Sequence, residues 1–384
     1  MALRWKVLLV TLGIAYALST SAAEVYVLAL SGDGSASVTI DREGKTAYIT
    51  DGGRPGAAGL SSALIHGMPV LDYLTENGID HLVVTCSHPH LDHMGGIQAL
   101  VSSDRRVTQF KSVLFVDSNH LEGKPSLYQL FQRSWPEAAA DVERFRYASA
   151  DGVNAFEHFV AGLPGRTATV SNFVYQTSDV GNEIHDHAVV TQYALDRTDG
   201  QGTVFVDFDD ASTELVGKWS EQANARLNVV MVPHHGSRNN NLTSVLAKRD
   251  ALGLKSAVIA VNRWNRFLHP DADVLDALVA QLGADNVFIT DSDLGDNIVV
   301  DENGAGTSVT AEGRTWPGGA RFASPIPPFN VRQREPTTSG KSRPSADPHD
   351  WRCRNRNCWG GNLARNRMTV CVLVDRELLA NMRS

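Results

Sequence analysis

The sequence predicts an α+β fold in which packed β-sheets carry helices on their outer faces. Short apolar strands separated by Gly/Asp turns come first, and strands alternate with amphipathic helices afterwards. At 384 residues, with 42% hydrophobic and 20% charged residues, the chain can bury a large core and has the composition of a soluble globular protein.

The first strands are expected at residues 25–30, 36–40 and 46–49. Residues 61–76 place Leu64, Ile65, Met68, Leu71 and Leu74 at helical spacing, which predicts one helix there. A short buried strand at 81–86 follows, then a segment dense in His and Asp, and helical spacing resumes over 94–101. In the second half, strands are expected at 188–195, 203–207, 227–232, 257–261 and 287–290. Helices are expected at 211–223, 242–248 and 272–282. Residues 102–180 give no clear pattern and read as an insertion that shapes the site.

The ends differ from this body. Arg4 and Lys6 precede an apolar run over 7–18, and Ser21, Ala22 and Ala23 offer a cleavage site before Glu24. The run is shorter than the ~20 apolar residues a membrane-spanning helix needs. Residues 1–23 are therefore expected to be a signal peptide of an exported protein, periplasmic or secreted, with no stable membrane insertion after cleavage. The body extends over 24–317. Residues 318–350 are rich in Pro, Ser and Arg and read as a disordered linker, followed by a basic tail at 351–384. Residues 318–384 hold 12 Lys+Arg against 5 Asp+Glu, so the overall charge of −8 conceals a body of −17. Such a body repels polyanions and does not look built to grip nucleic acid by charge alone. Cys86 stands alone in the body while Cys353, Cys358 and Cys371 crowd the tail, which excludes a disulfide framework through the core.

The segment His88-Pro89-His90-Leu91-Asp92-His93 carries the chemistry. Imidazole nitrogens and carboxylate oxygens suit borderline divalent cations. A loop leaving a strand can turn His88 and His90 toward one point, and the first turn of a helix can aim Asp92 and His93 at a second. Gly95 and Gly96 allow close backbone packing behind them.

This motif resembles the His-x-His-x-Asp-His signature of the metallo-β-lactamase superfamily. The chain is further similar to the soluble hydrolase domain of ComEC-type competence proteins. That similarity rests on Gly32-Asp33-Gly34-Ser35-Ala36, Ile49-Thr50-Asp51-Gly52-Gly53, Val232-Pro233-His234-His235-Gly236-Ser237, and Asn262 through His269-Pro270. It departs from many such domains in keeping every histidine of the first motif. The resemblance implies a four-layer αββα sandwich holding two divalent metal ions, zinc or alternatively manganese. It implies His88, His90, Asp92 and His93 as ligands, and His187 as a third histidine for the first metal, with His185 close behind. Asp209 aligns with the bridging carboxylate, although Asp207 and Asp210 are near enough to compete. His235 and His269 are candidates to complete the second metal. Asp92, His234 and His235 are the implied catalytic groups, handling the attacking water and the substrate.

The function that follows is hydrolysis by water activated between two metals, on a phosphodiester or nucleic-acid-type substrate. Alternatives are hydrolysis of a small cyclic amide or ester, such as a β-lactam or lactone, and a non-catalytic metal-binding module of the same fold. The partner is thus a small-molecule or nucleic-acid substrate.

Overall fold

The fold is drawn from a computed structural model that describes residues 23–31, 34–56, 59–118, 121, 123–149, 168–173, 184–195, 202–222, 226–262, 265, 267–290, 297–303 and 306–312. The chain divides into residues 1–329 and 330–384, and the described residues all lie in the first unit. The signal segment before Ala23, the linker and the tail expected from the sequence lie outside them, as do Gly32 and Asp33.

Two sheets form the centre. Sheet 1 has eight strands: β1 (Ala23–Val27), β2 (Ser37–Asp41), β3 (Thr46–Thr50), β6 (His81–Cys86), β7 (Ser112–Asp117), β8 (Phe145–Ser149), β15 (Ile298–Asn303) and β16 (Gly306–Ala311). Their order is β16-β15-β1-β2-β3-β6-β7-β8. The pairs from β16 to β3 are antiparallel, and those from β3 to β8 are parallel. Sheet 2 contains β9 (Ala168–Phe173), β10 (Val190–Leu195), β11 (Thr203–Asp207), β12 (Val229–Met231), β13 (Ser256–Ile259) and β14 (Val287–Ile289), in the order β14-β13-β12-β11-β10-β9. Here β11 to β14 are parallel and β9 to β11 antiparallel. A small hairpin, β4 (Leu64–Ile65) with β5 (Met68–Pro69), stands apart.

The layering follows from strand alternation, since successive side chains leave opposite faces of a sheet. In β6, Leu82 and Val84 join a core with Leu71 and Leu74 of α1 (Val70–Glu76), Ile97 and Leu100 of α2 (Leu91–Ser103) and Phe131 of α3 (Leu127–Ser134). Val83, between them, joins Tyr193, Phe205, Val229 and Val258 of sheet 2 in the core between the sheets. On the far side of sheet 2, Val206, Val230 and Ile259 pack against Trp219 of α5 (Thr213–Gln222), Val245 of α6 (Thr243–Ala247) and Leu278 of α8 (Ala272–Leu282). Two short helices, α4 (Pro136–Ala139) and α7 (Arg249–Leu252), complete the described set. Helix, sheet, sheet, helix is the αββα sandwich that the metallo-β-lactamase resemblance implies.

Two expectations need correction. The single helix over 61–76 is instead a 3-10 turn at Leu60–Ser62, the β4–β5 hairpin, and then α1. Left-handed His66 and Gly67 reverse the chain between the two short strands, and Pro69 fits only ahead of the helix. Where it is described, the stretch 102–180 also builds the sheets: β7 and β8 extend the parallel part of sheet 1, and β9 edges sheet 2.

Candidate metal centre

The centre lies at the carboxyl ends of the parallel strands. β6 is paired on both sides and its last five residues are buried, which explains its unbroken apolar run. The chain leaves it at Ser87 and re-forms as α2 at Leu91, so Asp92 and His93 sit in the first helical turn. Gly52 N donates to the His93 carbonyl at 2.9 Å and Gly96 N to the Gly53 carbonyl at 2.7 Å. A Cβ on Gly96 would come within 1.7 Å of the Gly52 carbonyl oxygen, so this approach admits glycine alone.

Sheet 2 supplies the rest. His185 lies in a 3-10 turn, Ile184–His187, before β10. Asp209 and Asp210 follow β11, and His234 and His235 follow β12. Asp209, His234 and His235 all adopt left-handed backbone, with φ of 49°, 48° and 55°. These are strained positions for residues with a Cβ, and they aim consecutive side chains in different directions.

Asp210 is the focus. Its Oδ2 lies 3.2 Å from His93 Nε2, 3.6 Å from His234 Nε2, 3.7 Å from His88 Nε2 and 3.8 Å from His185 Nε2. Its Oδ1 lies 3.7 Å from His235 Nε2. His90 Nδ1 is 3.2 Å from His185 Nε2. Two donor groups result, His88, His90, His185 and Asp210 in one and Asp92, His93 and His235 in the other, each able to hold a cation.

In His88, His93, His234 and His235 the opposite edge of the imidazole is fixed by a hydrogen bond, which sets the tautomer. His88 Nδ1–H donates to Ser87 Oγ at 2.9 Å, and that hydroxyl donates to Asp51 Oδ2 at 2.6 Å. His235 Nδ1–H donates to the Ala260 carbonyl at 2.8 Å. His234 Nδ1–H donates to Asn240 Oδ1 at 2.8 Å, while the Asn240 amide donates to the Asp210 and Ala211 carbonyls. His93 Nδ1 faces two carboxylates, Asp51 Oδ2 at 2.8 Å and Asp209 Oδ1 at 2.7 Å. A third grouping, of Asp51, His88, His93 and Asp209, is therefore an orienting layer, its atoms already engaged with one another and with Ser35 and Ser87.

The electrostatics suit a cation. Burial pushes His88 and His90 below their ordinary range and His185 down to about 4, so these imidazoles are neutral and able to ligate at neutral pH. Burial together with the charge of Asp209 drives Asp51 well above the usual carboxylate range. Burial opposes ionisation of Asp210, but His93 and His235 hold it well below that range. Burial likewise opposes a charge on His93, yet Asp209 and Asp210 flank the ring and hold it well above its ordinary value. Among the described residues, every ion-pair partner of Asp210 is a histidine. The buried Nε2 atoms of His88, His93 and His235 and Oδ1 of Asp210 have no hydrogen-bond partner. Converging imidazoles, neutral at His88, His90 and His185, together with a buried carboxylate and unsatisfied donor atoms are what divalent cations complete, so the residues present fit a two-metal centre.

Three of the expected ligands stand outside these two donor groups. His187 is in neither donor group, and His185 takes the position against His90. Residues two apart on a 3-10 turn project about 120° apart, so only one of them can face the centre. Asp209 falls instead in the grouping with Asp51, His88 and His93. Its left-handed backbone places it on the Nδ1 side of His93 and leaves the Nε2 side to Asp210, while Asp207 braces the loop through Ser37 Oγ and Asp209 N. His269 joins no donor group; its ring lies 6.0 Å from that of His234. Sequence reasoning singled out neither Ser87 nor Asn240. Asp51 was visible only as a strand-ending aspartate before Gly52-Gly53.

No family model matches the chain, and no curated protein sequence matches it. Among solved structures it is similar to a diphosphatase from the PhnP family, with 10% sequence identity and a TM-score of 0.32 over 62% of this chain and 85% of that one.

Proposed function

We propose that the protein is a metal-dependent hydrolase with two divalent cations, one held by His88, His90 and His185, the other by Asp92, His93 and His235, with Asp210 between them. The convergence of five imidazole Nε2 atoms on one buried carboxylate carries this reading. Cations bound there would supply Lewis-acid polarisation of an ester or phosphoryl oxygen and make water acidic enough to attack near neutral pH. The chain's own groups do the rest. Asp92 is only partly buried at the start of α2, where it can orient the attacking water and accept its proton. His234 keeps a partly exposed Nε2, oriented from behind by Asn240, and can hydrogen-bond the substrate. Asp51, Asp209 and Ser87 hold the ligating rings in place.

For the substrate we infer a phosphodiester, supported by the ComEC-like Pro-His-His-Gly-Ser motif and its neighbours. A small cyclic ester or amide is the second reading, favoured by the acidity of the body and by exposed apolar side chains at Leu91 and Phe267. The basic start, apolar run and small residues of positions 4–23 support action outside the cytoplasm. Among the described residues, no helix is long and apolar enough to cross a membrane.

The test is metal quantification alongside a panel of a nitrophenyl phosphodiester, plasmid DNA and a chromogenic β-lactam, with zinc or manganese added. The expected result is about two cations per chain and turnover of the phosphodiester. Turnover of the β-lactam alone would transfer the assignment to the second reading. Two bound cations with no turnover would make the protein a metal-binding module.

A further inference from the structure

We propose that Phe267, backed by His269 and flanked by Leu268, forms a rigid shelf at the mouth of the metal centre that binds a flat aromatic group of the substrate beside the scissile bond. This rests on the hydrolase reading and adds to it the class of substituent that the site selects.

Position is the first argument. The Phe267 ring lies nearly parallel to that of His269, with an interplanar angle of 22° and centroids 5.9 Å apart. His269 in turn lies 6.0 Å from His234, whose Nε2 is 3.6 Å from Asp210. The three rings therefore run as a continuous file from the donor atoms outward. His269, which joins neither donor group, acquires a purpose as the base of the shelf.

Rigidity is the second. The buried Asn265 amide donates to the Asn262 and His269 carbonyls, each at 2.7 Å, and its Oδ1 accepts from His269 N at 2.9 Å. Leu268 N donates to the Asn265 carbonyl at 3.2 Å, and Asp271 N donates to the Gly236 carbonyl at 2.9 Å. Asn262, Asn265, Leu268 and His269 are thus tied to one another, and Asp271 to the turn that carries His234 and His235. A surface fixed in advance loses little freedom when a ligand settles on it.

The third argument is what this rigidity maintains. Phe267 is 50% exposed and Leu268 is 73% exposed, and Leu268 is held at φ 62°, a left-handed conformation that leucine rarely adopts. Two large apolar side chains thus stand partly in water on a strained loop. Leu91, between His90 and Asp92, adds a further exposed apolar group at 55%. Strain and exposed apolar surface beside a reactive centre point to a ligand-facing function. The flat Phe267 face suits an aromatic ring, which an aryl ester or a nucleobase would equally supply.

The test measures binding to the full metal-loaded chain, separately from turnover. Calorimetric titration compares phenyl phosphate with methyl phosphate, and adenosine 5′-monophosphate with ribose 5-phosphate. The expected result is a preference of about tenfold for the ring-bearing member of at least one pair. Phe267→Ala should abolish that preference while leaving the ring-free ligand and the bound metal unchanged, and Phe267→Trp should retain it. Preference in the first pair alone identifies an aryl group, and in the second pair a nucleobase. Equal affinity within both pairs, no binding of any ring-bearing ligand, or a preference that survives Phe267→Ala would overturn the proposal. Ring preference without hydrolysis of any substrate would leave the shelf standing and remove the hydrolase reading; hydrolysis without ring preference would do the reverse.

Discussion

Sheet 1 delivers His88, His90, Asp92 and His93 to the centre from a single strand end, within six consecutive residues. Sheet 2 delivers His185, Asp210, His234 and His235 from the turn before β10 and the ends of β11 and β12. Both halves use the same device, the loop at a strand's end, where backbone leaves the sheet and side chains can converge. They differ in how far the chain travels between ligands. In the first half spacing along the sequence is spacing in the site. In the second, only the parallel pairing of β11 with β12 brings Asp210 beside His234 and His235. A metal site can thus be half local motif and half tertiary construction.

That difference can be attacked most directly at Asp210, the group that joins the halves. Asp210→Asn should reduce turnover by about a thousandfold or more and lower the metal content of both positions. Asp209→Asn, one residue away, should cost only about 10–100-fold, because Asp209 orients His93 from behind. Steady-state kinetics with metal analysis checks both, and equal losses would mean the two aspartates share one role. The choice within the 3-10 turn comes next. His185→Ala should lose bound metal and most activity, while His187→Ala keeps its full metal content; the reverse pattern would restore His187 as the ligand.

A smaller effect tests the packing that positions the first half. Gly96→Ala places a methyl group inside the van der Waals radius of the Gly52 carbonyl, so the backbone must shift. A fall in Tm of roughly 5–10 °C is expected by calorimetry. The smallest effect lies outside the centre. Asp117 is buried at the end of β7, where its carboxylate accepts from Leu127 N at 3.1 Å, and burial pushes its pKa up to about 7. Between the unfolded value, about 4, and 7 the unfolded chain gives up this proton before the folded one, so stability is lost as pH rises through that window. Asp117→Asn removes the titration. Its Tm relative to the parent should rise by about a few degrees between pH 4.5 and pH 8, and a constant difference would refute the assignment.

What the sequence revealed follows the same division. β6, β11 and α8 begin and end where their apolar patterns place them: β6 and α8 are bounded by polar or glycine residues, β11 starts after Gly202 and closes on Asp207, and each is buried along its length or one face. The first motif was legible because its ligands are neighbours in the chain. The choice between His185 and His187 was not, since it depends on how a 3-10 turn is rotated against β6. Nor was the choice among Asp207, Asp209 and Asp210, which is decided by one left-handed residue. β7 and β8 escaped notice because no motif punctuates the stretch they occupy. The helix expected over 61–76 failed because hydrophobic spacing cannot see the reversal at His66 and Gly67.

The segments that enter the centre after Thr50, Phe208 and Pro233 each do so through a left-handed residue other than glycine, Asp51, Asp209 and His234. Each such residue costs about 1 kcal/mol, and they crowd the one place where carboxylates also repel. Cations that bind only the folded chain would offset this by about 4 kcal/mol at a thousandfold excess over Kd. Durability and chemistry then share a single reservoir of metal. A chelator should leave not a sound but idle protein, but one that melts earlier and falls to proteases sooner, so that scarcity of metal clears the molecule as well as silencing it.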